Sequence, residues 1–313
     1  MMRQCLVLVL LLAGNLYAAA QDTTVTVDKH VYTLPAVVVH NNLDYATILR
    51  RIKNDTTFYK AFKTLRVIGY SAYNYINIPN KSGGSRATYS SKSTQQREGG
   101  CRTTTITDIH TTGDFFDSKG NYNYTTADMY ASLFFTRGKV CGETNTVAGS
   151  VISTNGKSGL DKHKEQLKML FFNPGKKIPG IPFIGNKLDL YDDDAHKLYD
   201  YKLDFTAYKG GYAYVFSITP KPDLGFFRRG DIVVDEMTTW FDAKNMDVLA
   251  RTYKLSYKAG VYDFDVDMEV EMTHTPAGQL VPQVMRYKGN YGILFKRRER
   301  GEFTATLFDY KSQ

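Results

Sequence analysis

The 313-residue chain is 42% hydrophobic and 23% charged, with 25 glycines and 9 prolines; those proportions are globular and exclude disordered and collagen-like polymers. Net charge is +8, but the basic residues are scattered rather than gathered in a stripe, so no nucleic-acid partner is expected. Anionic membrane or envelope surfaces suit that charge better.

Residues 1–20 give a basic start at Arg3, an apolar run from Leu6 to Leu12 and the small residues Ala18-Ala19-Ala20. That order is a secretory signal peptide, too short to span a bilayer, and the mature chain is expected to begin at or next to Gln21. No later stretch has a transmembrane segment's length of apolar sequence. Cys5 lies ahead of the apolar run, too early for a lipid-modified cysteine. Cys101 and Cys141 then remain, and an even pair in an oxidising compartment predicts a disulfide.

Along the mature chain, Thr24 to Val27 and Tyr32 to Val39 are expected strands, the second holding Pro35 as an edge strand can. Tyr45, Ile48, Leu49 and Ile52 then fall at helical spacing and predict a helix over 42–54, capped by Asn41 or Asn42, with Asp44 in its first turn. A short helical segment follows at Thr56 to Lys63. Leu65 to Ile78, rich in Val, Ile and Tyr, is a strand. Residues 80–100 are polar and Gly/Ser-rich, a loop with at most a strand at Arg86 to Ser93. Residues 103–111 and 126–136 are expected strands. Leu160, Leu167, Leu170 and Phe171 share one face of a helix over Asp161 to Phe172, which Pro174, Pro179 and Pro182 close off.

Beyond Leu188 the pattern is a meander. Tyr201, Leu203 and Phe205 alternate with charged residues, Lys209-Gly210-Gly211 turns the chain, and Tyr214, Phe216 and Ile218 return. Strands follow at Asp231 to Glu236, Val248 to Tyr257, Tyr262 to Thr273, Val281 to Lys288, Ile293 to Arg297 and Glu302 to Tyr310, with KGN and ERG among the turns. Nothing divides the chain, so residues 21–313 are expected to form one α+β domain. Its frame is a large curved antiparallel β-sheet, a half-barrel-like meander packed around one or two helices.

YDFDVDMEVEM, residues 262–272, alternates strictly. If Asp263, Asp265, Asp267, Glu269 and Glu271 stand in water, then Phe264, Val266, Met268 and Val270 point inward, beside Tyr201, Leu203, Phe205, Tyr214, Phe216 and Ile218. Those ten residues form the expected apolar, ligand-binding wall. The carboxylates are spread along a flat strand, whereas calcium needs six to eight converging oxygens, so they are read as partners of Arg251, Lys254, Arg286 or Lys288 across strands.

Other motifs carry little chemistry. GSVISTNGKS, residues 149–158, lacks the glycine of a phosphate-binding loop where Val151 stands. The six histidines make no i, i+4 pair, and Asp192-Asp193-Asp194 before His196 is a solvated turn rather than a metal cluster. Lys296-Arg297-Arg298 with Arg300, interrupted by Glu299 and Glu302, is the densest basic patch and is read as a turn between strands. No G-x-S-x-G elbow occurs, so no metal, cofactor or catalytic residue is expected. The 23 tyrosines, concentrated in strands, fit either a greasy concave face or an ordinary sheet core.

YTLPAVVV, ILRRIKND and TTFYKAFKTLRVIGYSAYNYI resemble the segment after the prealbumin-like module in carboxypeptidase-regulatory-like outer-membrane proteins of Gram-negative envelopes. LYDYKLDFTAYKGGYAYVFSITPK and RRGDIVVDEMTTWFDAKNMDVLAR are similar to the same proteins. A strand pair ending in I-x-P-K, followed by a strand opening with Gly, also resembles the periplasmic lipoprotein-sorting carriers. The resemblance implies the periplasmic portion alone, without the amphipathic strands of an outer-membrane barrel. It further implies a curved sheet with an apolar concave side, located in the periplasm or at the outer-membrane periphery. Two functions follow as expectations: a carrier of lipid or another apolar ligand with helix 42–54 as plug, or a closed module that meets an envelope partner. An enzyme lacks a starting residue.

Overall fold

A computed structural model describes residues 22–34, 44–147, 172–176, 187–258, 262–293 and 298–311. The leader, the helix expected over 161–172 except Phe172, the loop 149–158, and Pro35 to Val39 lie outside the described residues.

The described residues form one 13-stranded sheet in the order β1-β2-β7-β8-β9-β10-β11-β12-β13-β3-β4-β5-β6. In chain order the strands are β1 (Thr23–Val27), β2 (His30–Leu34), β3 (Gly69–Pro79), β4 (Ser85–Glu98), β5 (Cys101–Thr112) and β6 (Val140–Cys141). The meander follows as β7 (Tyr199–Tyr208), β8 (Gly211–Pro220), β9 (Val234–Asp242), β10 (Val248–Lys258), β11 (Tyr262–His274), β12 (Leu280–Ile293) and β13 (Glu299–Lys311). Neighbours are antiparallel except where β2 meets β7 through Thr33 and Lys202. Helices are α1 (Tyr45–Lys53), α2 (Thr57–Thr64), α3 (Thr125–Phe134) and the single turn α4 (Phe226–Arg229). This is the expected α+β class with a curved, largely antiparallel sheet.

Several elements differ from the sequence expectation. Residues 126–136 are not a strand: Ala127, Tyr130 and Phe134 are all buried along one side of α3, a helical spacing that the Thr and aromatic content of the segment disguised. Residues 80–100 are not mainly loop, because β4 runs for 14 residues. Its inward polar groups are satisfied inside the protein. Asn74 Nδ2 donates to Ser93 Oγ at 3.0 Å, Tyr130 Oη donates to Asn74 Oδ1 at 2.7 Å, and Gln95 Nε2 donates to the carbonyls of Leu65 at 2.6 Å and Ile68 at 2.7 Å. A face this polar hides a strand from any hydrophobic pattern.

The caps and turns also shift. Asp44 is the N-cap of α1 rather than a first-turn residue, its Oδ1 accepting from Thr47 N at 3.0 Å. The expected KGN turn lies within β12, and the ERG turn opens β13. The expected strand at Asp231 to Glu236 begins only at Val234 and continues to Asp242.

Glu299, expected in a solvated turn, instead caps α3 from the sheet. Its carboxylate accepts from Thr125 N at 2.9 Å, Thr126 N at 2.7 Å and Thr126 Oγ1 at 2.7 Å, while Tyr291 Oη donates to it at 2.6 Å. A negative charge at a helix N-terminus satisfies orphan N–H groups and the dipole together. Beside it, Gly301 lets α3 approach closely, since a Cβ there would stand 2.1 Å from Thr126 Oγ1. Glu299→Ala should therefore cost about 2–3 kcal/mol and expose the first-turn amides of α3. Hydrogen exchange of Thr125 and Thr126 with denaturant unfolding checks this; unchanged protection would refute the cap.

Candidate functional site

Side-chain alternation and cross-strand register place all ten expected wall residues on one face of the sheet. Tyr201 opposes Ile218, Leu203 opposes Phe216, and Phe205 opposes Tyr214. From Ile218 a row continues through Met237, Tyr253, Met268, Tyr287, Phe303, Ile76 and Tyr89, one residue per strand from β8 to β4. Val266 and Val270 flank Met268 in β11, and Phe264 lies opposite Tyr257. Leu203, Ile218 and Val270 are fully buried; Phe205 alone among the ten is half-buried.

What covers this wall belongs to the same chain. Leu49 and Ile52 of α1, and Phe58, Ala61 and Phe62 of α2, are buried in the same core as the sheet residues. At the other end Tyr130 of α3 packs against Phe303 at 4.9 Å between ring centroids. Each fully buried large apolar side chain contributes roughly 1.5–3 kcal/mol. A crevice between Phe62, Tyr70, Phe134 and Phe172 has a volume of about 20 Å³, room for one water and not for an acyl chain.

Charge meets the wall again beside α1 and α2. Arg251, expected to pair with the β11 carboxylates, points to the opposite, inner face and is 6% exposed. Its Nε donates to Thr239 Oγ1 at 2.9 Å, its guanidinium lies 4.2 Å from the Phe58 ring centroid, and its Nη2 stands 3.8 Å from Asp55 Oδ2. Asp55 lies between α1 and α2; Oδ1 accepts from Thr57 N at 3.0 Å, while Oδ2 is buried without a hydrogen-bond partner. Nearby, Lys176 Nζ donates to the Lys53 carbonyl at 2.6 Å and sits 4.4 Å from the Tyr191 ring centroid. Burial pulls the Lys176 amine below its ordinary range and pushes the Tyr191 hydroxyl up to about 12.

The acidic face of β11 behaves as a solvated strand face. Arg286 pairs with Glu269 at 3.2 Å and Glu271 at 2.7 Å, as expected, and Arg298 pairs with Asp263 at 2.7 Å. Lys254 pairs instead with Glu236 at 3.1 Å, and Lys288 with Glu302 at 3.9 Å. Among the described residues no group of His, Cys, Asp and Glu is arranged to hold a metal ion. Cys101 and Cys141 are joined as a disulfide across β5 and β6, with Cα atoms 4.0 Å apart.

The N-terminal hairpin docks through histidines that the sequence did not single out as a pair. His30 of β2 stacks on His196 with ring centroids 3.6 Å apart, and Tyr201 lies 4.2 Å from His196 on the wall side. His196 Nε2 is buried without a hydrogen-bond partner. Burial, then the charge of His30, lowers the His196 pKa from 6.5 to about 4. The unfolded chain therefore takes up this proton near pH 6.5 and the folded protein only near pH 4. Stability should be full above the unfolded value, fall as pH drops through that window, and level off below it. Denaturant midpoints across the window check this; His196→Phe should flatten that part of the profile, and an unaltered profile would refute it.

Comparison with known proteins shows no family for this chain. No family model matches the chain, and no curated protein sequence matches it. The carboxypeptidase-regulatory-like half of the resemblance thus finds no counterpart there. Among solved structures, the chain is similar to a domain described as an outer-membrane lipoprotein-sorting protein from Vibrio parahaemolyticus. That likeness has TM-score 0.27 and 10% identity, over 80% of this chain and 89% of that one. A DUF1329 family protein from Desulfovibrio piger gives TM-score 0.25 and 12% identity, over 82% of this chain and 94% of that one. A LolA superfamily protein from Nitrosomonas europaea gives TM-score 0.25 and 8% identity, over 82% and 92%. Likeness at this level carries no argument. No helix among the described residues is long and apolar enough to cross a membrane.

Proposed function

We propose that the protein is an exported, non-enzymatic module of a Gram-negative envelope, in the periplasm or at the outer-membrane periphery, that binds a lipid or other apolar ligand on the inner wall of its sheet. In this reading α1 and α2 are a plug that the ligand displaces, and Tyr201, Leu203, Phe205, Tyr214, Phe216, Ile218, Phe264, Val266, Met268 and Val270 are the surface it meets. The observation that carries it is the junction of plug and wall. Asp55 faces Arg251 at 3.8 Å with Oδ2 lacking a hydrogen bond, so the plug is seated over an incompletely satisfied charge and not over a fully matched core. Each ligand methylene that replaces plug contacts would contribute about 0.8 kcal/mol.

Native mass spectrometry of freshly purified protein, with lipid extraction and titration of a fluorescent fatty-acid probe, tests this. Co-purifying lipid or saturable probe binding supports it. The absence of both sinks it and leaves the second reading, a closed module that meets an anionic envelope partner through its basic surface. That reading is favoured by one observation, the full burial of Leu203, Ile218 and Val270 beneath the chain's own side chains.

A further inference from the structure

The face of the sheet turned away from the helices carries two clefts that meet. The larger, about 350 Å³, is lined by Tyr73, Tyr75, Ser90, Lys92, Asp108 and Thr306. The second, about 280 Å³, also includes Tyr75 and extends past Thr304 and Glu302 to Arg286 and Asp267. Together they run transverse to the strands from β11 to β5. We propose that this groove binds a neutral oligosaccharide, a chain of flat, β-linked sugars laid across the strands.

Three features point to that ligand. First, Tyr73 and Tyr75 are 57% and 47% exposed in the middle of a sheet, two residues apart on one strand and so on the same face, roughly 7 Å from each other. An exposed ring offers a negative π-face, which suits the weakly positive C–H face of a sugar whose substituents are equatorial. Phe308 stacks on Tyr73 with ring centroids 4.8 Å apart and planes 27° from parallel, Lys92 Nζ lies 6.0 Å from the Tyr73 ring centroid, and Tyr75 stands beside them without a ring stacked on it among the described residues.

Second, β5 bulges where it borders the groove. Asp108 and Ile109 stand opposite the single Ser91, and Asp108 takes a φ of 52°. A bulge re-aims side chains and bends its strand, which here makes a wall carrying an acceptor at the groove's edge.

Third, the charges in the groove are of both signs, with Lys92, Arg286 and Lys288 beside Asp108, Asp267, Glu269 and Glu302. Arg286 is held by Glu269 and Glu271, and Lys288 faces Glu302. The groove offers hydroxyls, donors and acceptors without a field of one sign, which fits an uncharged polyhydroxylated chain and not a polyanion or an acidic peptide. The site lies on the face opposite the apolar wall, so its occupancy is independent of the carrier function.

Isothermal titration of the full mature chain with cellotetraose and with chitotetraose tests the proposal. Saturable binding of at least one probe is expected, insensitive to salt, weakened at least about tenfold by Tyr75→Ala or Tyr73→Ala and unchanged by Val31→Ala, an exposed residue on distant β2. Thermal unfolding of each variant confirms the fold, and Lys92→Ala, expected to weaken binding severalfold, serves if Tyr73→Ala does not fold. No saturable heat with either probe overturns the proposal. So does binding that survives Tyr75→Ala, or binding confined to dextran sulfate that fades as salt is raised.

Discussion

Replacing Cys101 and Cys141 together with serine should lower the free energy of unfolding by about 4 kcal/mol. The bridge closes a loop over a sequence separation of 40 residues, and in the chain-entropy description a crosslink of that span removes about that much conformational freedom from the unfolded chain. The loop contains most of β5, the Phe116–Tyr122 bridge and all of α3, so without the bond the segment that seats α3 on β13 is tied down only by its own contacts. Arg102, beside Cys101, forms a close ion pair with Glu143 just past Cys141, which holds the same ends together and leaves the native fold reachable. Guanidinium unfolding of the wild-type chain with and without reductant, beside the double serine variant, measures the effect. Equal midpoints in all three would show that the bond contributes nothing.

Asp55→Ala should cost about 3–5 kcal/mol, because it strands the Arg251 guanidinium in the core. The carboxylate also starts α2, accepting from Thr57 N at 3.0 Å and Thr57 Oγ1 at 2.7 Å. Asp55→Asn keeps the acceptor but removes the charge, so it separates capping from pairing. Joining Asp55→Asn to Arg251→Met should recover most of the loss, since a well-packed apolar side chain against Phe58 replaces a pair that is costly to desolvate. A double-mutant cycle reads the coupling directly; strictly additive effects would mean that the two side chains do not sense each other. If the plug is displaced by ligand, the double variant should also hold it more firmly and weaken fatty-acid probe binding.

The apolar wall was legible in the sequence because each of its strands alternates cleanly. In β11 five carboxylates fix which side is wet, and the register of β7 with β8 follows from the short turn at Lys209-Gly210, where Lys209 has a φ of 45° and Gly210 of 83°. The charged joint in the wall was not legible. Arg251 looks like any strand arginine until the bulge between Val248 and Ala250 sets its phase, and Asp55 looks like a turn residue ahead of a helix, which it also is. Nor was β4 legible, since Ser91, Ser93 and Gln95 are buried polar side chains whose partners, Asn74 and the carbonyls of Leu65 and Ile68, come from elsewhere in the chain. One signal for α3 was present and outweighed: Ala127, Tyr130 and Phe134 recur at helical spacing, but Thr and aromatic content favoured a strand. The histidine stack could not have been found from spacing, because His30 and His196 meet only when β2 lies beside β7.

The position of β13 between β12 and β3 has a consequence for how the chain is made. Asn77 of β3 pairs with Glu302 of β13, and their side chains meet 225 residues apart in sequence. While the chain emerges from amino to carboxyl end, β3, β4 and β5 can assemble as a meander, and β7 to β12 as another, but the two halves have no shared strand until the last segment arrives. Through that interval β3 and β12 each present an open row of unpaired amides and carbonyls, and Tyr73 and Tyr75 stand beside one of them. Such long-range closure is slow, and open edges recruit other chains while they wait. The closing strand itself, Glu299 to Lys311, thus joins two half-sheets that neither half can complete alone.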